Sequence, residues 1–524
     1  MGRKGNDWRA NKQIPNEFDA HDQRFKNDSR RSVDAGRRAN RNAFLARGVD
    51  PMETSPLTEE PSAFDTRSVN DIYEEIRSIY LSDDRPWVIG YSGGKDSTTA
   101  LQLVWNSLLS VPQEKRKKPV YVISTDTFVE TPAIADYIDS ALAKINDAAK
   151  RQHLPVSATK LFPLTNDSFW VNLIGRGYPA PSQLFRWCTE RLKIKPADRF
   201  ILEKVSQHGE IILVLGVRKL ESATRAQVMK LYKIKGKTLS RHSKFPQSFV
   251  YTPIEDFSKD DVWLYLLQNP SPWGGNNRDL LALYKSASET GECPLVVDSD
   301  TPPCGNSRFG CWICTLVTKD KSVQALVDNG EVWLEPLLEY RNMLSATQVP
   351  ENKHLYREYK RRDGTVKFNR DGSGAVTRGP YKFEYCKELL AKLLSVQKMA
   401  RENGPDPRIT LIRPEELHAI RRIWRMERGD WKDTVPGIYR ECTGEDLEWI
   451  DEDLGTYSGT EAALLENICA KHKVPFRLVT KLLDVEFQVQ GMSRRSLIYS
   501  RIGSVLGEEW RSEDEIVHDA DDRP

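Results

Sequence analysis

Residues 86–99 read Pro-Trp-Val-Ile-Gly-Tyr-Ser-Gly-Gly-Lys-Asp-Ser-Thr-Thr, a short apolar stretch that runs into a glycine-rich loop. Gly93 and Gly94 lack a Cβ atom, so the backbone can turn tightly there and bring N–H groups close to an anion. Apolar residues recur at helical spacing after the loop, so it opens a helix whose N-terminus favours negative charge. The loop therefore predicts a phosphate-binding site, although its spacing is not that of a Walker A loop. The candidate contacts are Ser92, Gly93, Gly94, Lys95, Asp96, Ser97 and Thr98.

Length and composition indicate a soluble protein of several domains. The chain has 524 residues, of which 39% are hydrophobic and 29% charged. No apolar run reaches the roughly 18 residues that a membrane span requires. The N-terminus is polar and has no signal-peptide pattern, so we expect a cytoplasmic protein with no membrane partner. Five cysteines lie between residues 188 and 314, which suggests metal or redox chemistry rather than a disulfide scaffold.

The pattern of the sequence divides the chain into four parts. Residues 1–65 form a basic arm that we expect to be flexible, because residues 1–50 carry 12 Lys and Arg against 7 Asp and Glu. Residues 66–290 alternate short apolar strands with helical patterns, which predicts an α/β fold with a doubly wound, mostly parallel sheet. A cysteine-rich loop occupies residues 291–330, and residues 331–524 are expected to be mostly helical. The predicted strands are Trp87–Tyr91, Val120–Ser124 and Ile211–Gly216, and the predicted helices cover 69–80, 97–110, 131–152 and 196–208.

Two further segments place chemistry near these elements. Asp126 follows the second strand, at the sheet edge where ligands of parallel sheets collect. Cys188 lies in Arg186-Trp187-Cys188-Thr189, shortly before Lys193 and Lys195. Neighbouring cations stabilise a thiolate, so Cys188 could be a nucleophile, with a buried inert cysteine as the alternative.

A third segment begins where the last predicted strand ends. Gly216 opens the sequence Gly-Val-Arg-Lys-Leu-Glu-Ser-Ala-Thr-Arg, in which Arg218 and Arg225 can bind phosphate or sulfate oxygens. Further on, Ser258 is predicted to cap the N-terminus of a helix that contains Asp261-Val262-Trp263.

The order of these motifs resembles the PAPS reductase-like branch of the PP-loop ATP pyrophosphatase superfamily, whose members split ATP between its α and β phosphates. The resemblance covers roughly residues 68–320, and the chain as a whole is similar to the DndC family, the sulfurtransferase-type ATPases of bacterial DNA phosphorothioation. It implies ATP and Mg²⁺ as cofactors, with Lys95, Asp96, Cys188, Arg218 and Arg225 in catalysis and Asp126 and Gly216 in nucleotide binding. The Glu-Cys-Gly-Leu-His tail of PAPS reductases and the Cys-Cys pair of iron–sulfur APS reductases are absent from this sequence.

Four cysteines form a block, Cys293, Cys304, Cys311 and Cys314, in a stretch rich in proline and glycine. Four thiolates suit either tetrahedral zinc or a [4Fe–4S] cluster, and their spacing does not decide between the two. The family resemblance implies the cluster. A competing ligand set replaces Cys293 by Cys188, whereas Cys386, Cys442 and Cys469 are expected to be packing residues.

Two basic runs suggest a nucleic-acid partner. The segment between Glu221 and Glu255 has no acidic residue, and the segment from Lys353 to Arg378 mixes basic and aromatic residues. Such mixtures suit contact with backbone phosphates, whereas the alternative is a simple solvated face. The resemblance implies DNA as the substrate, a cysteine desulfurase as the sulfur donor, and the Dnd proteins DndD and DndE as partners of residues 331–524.

These expectations combine into ATP-dependent sulfur insertion into the DNA backbone, with adenylation of a phosphate and release of pyrophosphate. One alternative is a thiolase that activates an RNA base. The other is a scaffold that binds nucleotide and DNA without turnover. A reductase acting on PAPS is a weaker possibility.

Overall fold

A computed structural model of the protein describes residues 61–221, 223–286, 310–369, 374–448, 458–489 and 498–521. Cys293, Cys304 and residues 1–60 of the predicted basic arm lie outside these ranges.

Among the described residues, six strands form one sheet: β1 (Trp87–Gly90), β2 (Val120–Thr125), β3 (Val156–Leu161), β4 (Ile211–Val214), β5 (Ser240–Arg241) and β6 (Ser248–Tyr251). Their order across the sheet is β3-β2-β1-β4-β6-β5, and every neighbouring pair is parallel except β5 with β6. The predicted α/β class and mostly parallel sheet are confirmed. Strands β3, β5 and β6 are additional to those that the sequence predicts.

The central strand marks the point at which the chain changes direction. From β1 the chain continues to β2 and β3 on one side and then crosses to β4 on the other, with Trp87 opposite both Val120 and Ile212. In such sheets ligands bind in the crevice outside the carboxyl ends of the strands that flank the change. The loop after β1 and the turn after β4 therefore border the expected ligand site.

In the described part of the chain, seven α-helices accompany the sheet: α1 (Val69–Leu81), α2 (Lys95–Leu109), α3 (Pro132–Arg151), α4 (Lys195–His208), α5 (Ala223–Tyr232), α6 (Lys259–Gln268) and α7 (Asn277–Ser286). The predicted helices agree with α1 to α4 within two residues at each end. Ser258 caps α6 as predicted, because its hydroxyl accepts a hydrogen bond from the Asp261 N–H at 3.0 Å.

The C-terminal part is helical, as expected. Its main helices are α8 (Lys321–Asp328), α9 (Glu335–Ala346), α10 (Phe383–Asn403), α11 (Pro414–Glu427), α12 (Thr434–Thr443), α13 (Gly459–His472), α14 (Phe476–Val489), α15 (Ile498–Leu506) and α16 (Glu513–Asp521). Among the helices of the described residues, none has both the length and the apolar character that crossing a lipid bilayer requires.

The apolar interior has two main clusters. One lies against the sheet and buries Trp87, Trp105 and Trp263. The other buries Leu389 of α10 and Trp424 of α11 together with three tryptophans from earlier in the chain, Trp170, Trp187 and Trp312. The segment between β3 and α4 and the residues after 310 therefore fold against the C-terminal helices.

Two short segments of π-helix, Val171–Gly175 and Thr189–Ile194, lie in the connection between β3 and α4. The second begins directly after Cys188 and carries Lys193. Turns of this kind are rare and occur frequently at functional sites.

Candidate active site

The loop between β1 and α2 is held by serine hydroxyls. Ser97 Oγ accepts a hydrogen bond from the Ser92 N–H at 3.2 Å and donates one to the Gly94 carbonyl at 2.9 Å. Gly93 has a φ of 72°, and a Cβ atom there would lie 2.3 Å from Ile138 Cδ1. Glycine is thus required at this position for the turn and for the space. The first amides of α2 have no intrahelical acceptors, which gives this loop the character of an anion site.

Gly216, in the turn after β4, packs directly on the start of α2. A Cβ atom at this position would lie 2.6 Å from the Asp96 carbonyl oxygen and 2.8 Å from the Ser97 nitrogen. The two turns that border the crevice therefore touch backbone to backbone. Any side chain at residue 216 would displace the phosphate loop.

Three charged groups of the predicted site form a connected set, which we call the ion triad: Lys95, Asp96 and Arg218. Asp96 Oδ2 lies 2.6 Å from Lys95 Nζ, and Asp96 Oδ1 lies 2.6 Å from Arg218 Nε. The cationic side chains are only 13% and 7% exposed. Burial would raise the pKa of Asp96, but the charges of Lys95 and Arg218 outweigh it and lower that pKa. Burial also lowers the pKa of Lys95.

A cavity of about 660 Å³ lies at the carboxyl edge of the sheet. Its lining includes Ser92, Gly93, Gly94 and Ser97 of the phosphate loop, with Asp126 and Gly216. Asp126 Oδ2 is 3.1 Å from Lys160 Nζ, which also faces the cavity. Thr98 is buried at the start of α2 and does not line it. The structure therefore brings the neutral loop residues to the cavity, while the head groups of the ion triad bind one another.

The far end of the cavity reaches the cysteines. Its lining there includes Glu130, Lys193 and Gly310, the last of which precedes Cys311. Cys311 Sγ lies 3.8 Å from Glu130 Oε1, and Lys193 Nζ lies 3.7 Å from the same oxygen. Burial raises the pKa of the Cys311 thiol, and the charge of Glu130 adds to this.

Cys188 belongs to the same neighbourhood as Cys311 and Cys314. The pKa of Lys193 is raised, and the groups that raise it are Cys311, Glu130, Cys188 and Cys314, so all three thiols lie within electrostatic reach of this ammonium. In this arrangement the three thiols surround one ammonium, and whether Cys188 or Cys293 completes a ligand set stays a prediction.

The predicted stabilisation of the Cys188 thiolate is wrong. Burial dominates and raises the pKa of Cys188, although Thr189 and Lys193 act in the opposite direction. The other neighbouring cations are engaged elsewhere: Arg186 donates to Gln183, and Lys195 Nζ lies 3.0 Å from Asp167 Oδ1.

Arg225 does not join Arg218 at the ion triad. It lies on α5, forms an ion pair with Glu221 one helical turn before it, and does not line the cavity. Arg218 does not line the cavity either, so phosphate binding by the two arginines stays a prediction.

The ligand set of a metal centre is only partly described. Within the described ranges, no three His, Cys, Asp or Glu side chains converge closely enough to hold a metal ion. Cys311 and Cys314 lie in one tight turn, in which the Cys314 N–H donates to the Cys311 carbonyl at 3.1 Å. Thiol donors match the chemistry of iron–sulfur clusters and zinc. Cys386 and Cys469 are buried packing residues, as predicted.

A buried arginine shapes the turn that carries these two cysteines. Arg341 of α9 is 0% exposed, and its guanidinium donates to the carbonyls of Cys314 and Thr318, each at 2.9 Å, and to that of Val317. One side chain from the helical part therefore satisfies three carbonyls that no regular element pairs.

Sequence reasoning missed Arg341, Glu130 and Tyr284. The Tyr284 hydroxyl accepts a long hydrogen bond from the Lys95 N–H at 3.4 Å, and a Cβ atom at Gly94 would lie 3.2 Å from it. No local motif marks any of the three, because each acts on residues distant in the chain. The Trp263–Tyr284 ring contact is the kind of helical packing that a periodicity analysis assigns to the core alone.

The basic runs are less free than the sequence suggests. In the first, Lys233 and Lys244 pair with Glu255 and Asp198, which lie outside the run. In the second, Arg378 pairs with Glu513 of α16. The Tyr356 ring packs 4.8 Å from that of Tyr385, so this ring serves packing rather than stacking on bases.

Comparison with known proteins agrees with this geometry. Residues 86–316, less than half of the chain, match the family model of the phosphoadenosine phosphosulfate reductase domain. The α/β domain is PAPS reductase-like. The matched residues contain the phosphate loop, Cys188, Arg218 and the Cys311–Cys314 turn.

One further protein is distantly similar to this chain. The uncharacterized protein MJ0066 of Methanocaldococcus jannaschii is 26% identical over 239 residues, which cover 46% of this chain and 38% of that protein. The chain thus spans little more than a third of that relative.

Two solved structures are weakly similar to this chain. FMN adenylyltransferase of Candida glabrata, in complex with FAD and inorganic pyrophosphate, is 15% identical with a TM-score of 0.23, over 41% of this chain and 61% of that one. The U34-tRNA thiolase NcsA of Methanococcus maripaludis, with its [4Fe-4S] cluster, is 14% identical with a TM-score of 0.24, over 55% and 79%. Similarity at this level says nothing about activity.

Proposed function

We propose that this protein uses ATP to adenylate a phosphate of the DNA backbone, and that sulfur then replaces AMP to leave a phosphorothioate. The observation that carries the proposal is the cavity, which connects the phosphate loop at one end to Glu130 and Lys193 at the other, beside Cys311. The matched PAPS reductase domain includes both ends of this cavity.

The phosphate loop would hold ATP. The cavity of about 660 Å³ lies within the range of roughly 300–1,000 Å³ that small-molecule sites occupy. The β and γ phosphates would contact the first amides of α2 and the ammonium of Lys95, once Lys95 exchanges Asp96 for phosphate oxygens. Mg²⁺ bound to the phosphates would add charge neutralisation, with Asp96 or Asp126 as an oxygen ligand.

The first chemical step is an adenylyl transfer. A non-bridging oxygen of the DNA phosphodiester forms a bond to the α-phosphorus of ATP, the bond from that phosphorus to the β-phosphate oxygen breaks, and pyrophosphate leaves. Because two anions must meet, the reaction needs fixed positive charge. Arg218 and the N-terminus of α2 would stabilise the charge that develops in the transition state.

The second step exchanges oxygen for sulfur. A sulfur nucleophile forms a bond to the DNA phosphorus, the P–O bond breaks, and AMP leaves with the former phosphate oxygen. If the sulfur arrives as the terminal atom of a persulfide made by a cysteine desulfurase, a thiol must then cleave the S–S bond and is oxidised to a disulfide. Cys188, beside Cys311 and Cys314, is the proposed carrier.

A [4Fe–4S] cluster would be held by Cys304, Cys311 and Cys314 with either Cys293 or Cys188. When bound, such a cluster supplies a redox-active thiophilic centre. Lys193 would then hold its positive charge near the thiolates.

The proposal is tested by pyrophosphate release from ATP in the presence of duplex DNA, tRNA or no nucleic acid. Wild-type protein should release pyrophosphate with duplex DNA, and Lys95→Ala should abolish that release. Lys150→Ala, an exposed lysine on α3, is the matched control and should behave as wild type. Cys188→Ser should retain pyrophosphate release but lose phosphorothioate in digested DNA.

The other outcomes each overturn part of the proposal. Release that depends on tRNA rather than DNA would identify a thiolase acting on RNA. Binding of ATP and DNA without any release would identify the non-catalytic scaffold. Normal phosphorothioate formation by Cys188→Ser would remove Cys188 from the sulfur path.

A further inference from the structure

A small hairpin projects from the protein three residues before Cys188. Ser182 and Phe185 exchange two backbone hydrogen bonds, at 3.2 and 3.0 Å, so residues 182–185 form a tight turn. Leu184 at its tip is 91% exposed, and Phe185 is 46% exposed. Two adjacent large apolar side chains exposed at a turn offer an apolar surface that a partner could cover.

The base of the hairpin is anchored firmly. The Pro181 carbonyl accepts hydrogen bonds from the Thr315 hydroxyl at 2.7 Å and from Gln348 Nε2 at 2.8 Å. Gln183 Nε2 donates to the Leu316 carbonyl at 2.7 Å. The hairpin is thus attached to the residues that follow Cys314, and its apolar tip is held in one position.

Beside the hairpin lies a group of basic side chains that we call the arginine cluster: Arg176, Arg191 and Arg362. The guanidinium carbons of Arg191 and Arg362 lie 5.4 and 5.0 Å from the centre of the Tyr178 ring. Both arginines also donate to the Tyr178 hydroxyl, at 3.2 and 2.6 Å. Arg362 comes from the second basic run, so residues far apart in the chain build one positive surface.

The positive charge of this cluster is only partly neutralised. Asp167 pairs with Arg191 and Lys195, and Glu427 lies 4.0 Å from Arg362. Burial lowers the pKa of Arg176; the charge of Glu427 opposes this shift, and the charges of Arg191 and Arg362 add to it to a smaller extent. Additional negative charge at this surface would therefore be stabilising.

The arginine cluster and the hairpin are close to the proposed sulfur carrier. The Tyr178 ring packs edge-on against Trp187 at 5.5 Å and lies 6.2 Å from Phe185. Trp187 immediately precedes Cys188. A polyanion held by the arginines would thus pass within one side-chain layer of this thiol.

We propose that the hairpin and the arginine cluster form the surface that grips duplex DNA: the arginines bind backbone phosphates, and Leu184 and Phe185 enter the minor groove as an apolar wedge. Proteins that bend DNA use this combination of cationic side chains and inserted apolar residues. A kink at the wedge would expose one phosphate beside Cys188. The inference rests on the proposed function, because it takes the DNA backbone as substrate.

The test measures binding of the full chain to a fluorescein-labelled duplex of about 25 base pairs, longer than one helical turn of about 10 base pairs, over a range of salt concentrations. Arg362→Gln should weaken binding and reduce the slope of log K against log salt by about 0.9, the value for one lost phosphate contact. The double variant Leu184→Ser/Phe185→Ser should weaken binding roughly tenfold with an unchanged slope, because it removes apolar contacts only.

A second measurement reports the wedge itself. Duplexes with 2-aminopurine at successive positions should brighten at one step when wild-type protein binds, because the base loses its stacking. The double variant should not produce this signal. Leu464→Ser, an apolar residue that is 63% exposed on α13, and Arg408→Gln, which is 88% exposed, are matched controls and should bind as wild type.

The inference would be overturned if the hairpin variant and the Arg362→Gln variant bound duplex DNA as tightly as wild type. It would also be overturned if these variants lost binding of tRNA but not of DNA. The hairpin variant and the Arg362→Gln variant should both retain thermal stabilisation by ATP, which would show that they are folded. Loss of DNA binding in these variants, with no pyrophosphate release from wild type, would uphold the inference and refute the proposed function. If both variants released pyrophosphate with duplex DNA as wild type does, the proposed function would be upheld and the inference refuted.

Discussion

Asp96→Asn is expected to destabilise the protein without ligand and to strengthen its binding of ATP when Mg²⁺ is chelated. The Asp96 carboxylate makes two hydrogen bonds of 2.6 Å to Lys95 and Arg218. Hydrogen bonds to charged groups contribute about 1.5–3 kcal/mol each. Because the Asp96 side chain is 21% exposed, we take the lower end of this range for both bonds, which gives a loss of roughly 3 kcal/mol.

ATP phosphates should take the place of the missing carboxylate. In wild type, ATP must break the Lys95–Asp96 ion pair before its phosphates can bind the ammonium. In the variant, both cations of the ion triad are already without their anion. We therefore expect the Kd for ATP in EDTA to fall roughly tenfold, which corresponds to about 1.4 kcal/mol.

The chain offers a matched control in a second ion triad. Asp83 pairs with Arg85 at 2.6 Å and with Lys118 at 2.9 Å, close to the start of β2 and thus at the opposite edge of the sheet. Asp83→Asn should lower the midpoint of thermal unfolding to a similar extent, yet leave ATP affinity unchanged. Unfolding followed by intrinsic fluorescence and ATP binding followed by calorimetry measure both effects. Equal ATP affinity in the two variants would refute the exchange of Asp96 for phosphate.

Three other perturbations test separate features. Gly216→Ala introduces a methyl group 2.6 Å from the Asp96 carbonyl oxygen, so it should cost about 1–3 kcal/mol and reduce ATP binding measured by calorimetry, whereas Gly437→Ala, which has open space around it, should do neither. Arg341→Met leaves three carbonyls without a donor, so Cys311 and Cys314 should react faster with a thiol reagent, and Arg341→Lys should restore part of their protection. The pKa of Asp83 is lowered to about 2, because the hydrogen bonds from Arg85 and Lys118 outweigh the effect of burial. Its folded pKa lies below the unfolded value of about 3.9, so its stabilising effect is complete above pH 4 and is lost as the pH falls towards 2; the difference in urea midpoint between wild type and Asp83→Asn should shrink over that interval.

Sequence patterns predict the parts of this fold that depend on neighbouring residues. The apolar run from Trp87 and the helical spacing after Ala100 give β1 and α2, and Ser258 gives the cap of α6, because each signal is local. Strand β6 is not predicted, because Ser248–Tyr251 is short and follows a charged segment. The core of Trp170, Trp187 and Trp312 with Trp424 is not predictable either, since nothing local states which helices will cover these rings.

The candidate site likewise has features that local sequence predicts and features that depend on residues distant in the chain. The phosphate loop and Arg218 follow from motifs, and the position of Gly216 follows from its place after a strand. The role of Asp96 as the anion between two cations depends on Arg218, 122 residues away, and so requires the fold. Cys188 has cations beside it in the sequence, but burial is the largest effect on its pKa and raises it. The burial of a residue cannot be predicted from its neighbours in the sequence.

The core shared with the C-terminal helices bears on how the protein is made. When a ribosome has translated residue 316, the whole PAPS reductase-like domain has been synthesised. Leu389 and Trp424, which help to bury its tryptophans, have not yet been translated at that point. Until they emerge, Trp170, Trp187 and Trp312 lack the part of their apolar surroundings that the later helices supply, and the turn with Cys311 lacks the Arg341 guanidinium. Nascent chains that expose such surface are prone to aggregate. The turn that carries these thiols therefore reaches its final arrangement only after the helices that follow it have been synthesised.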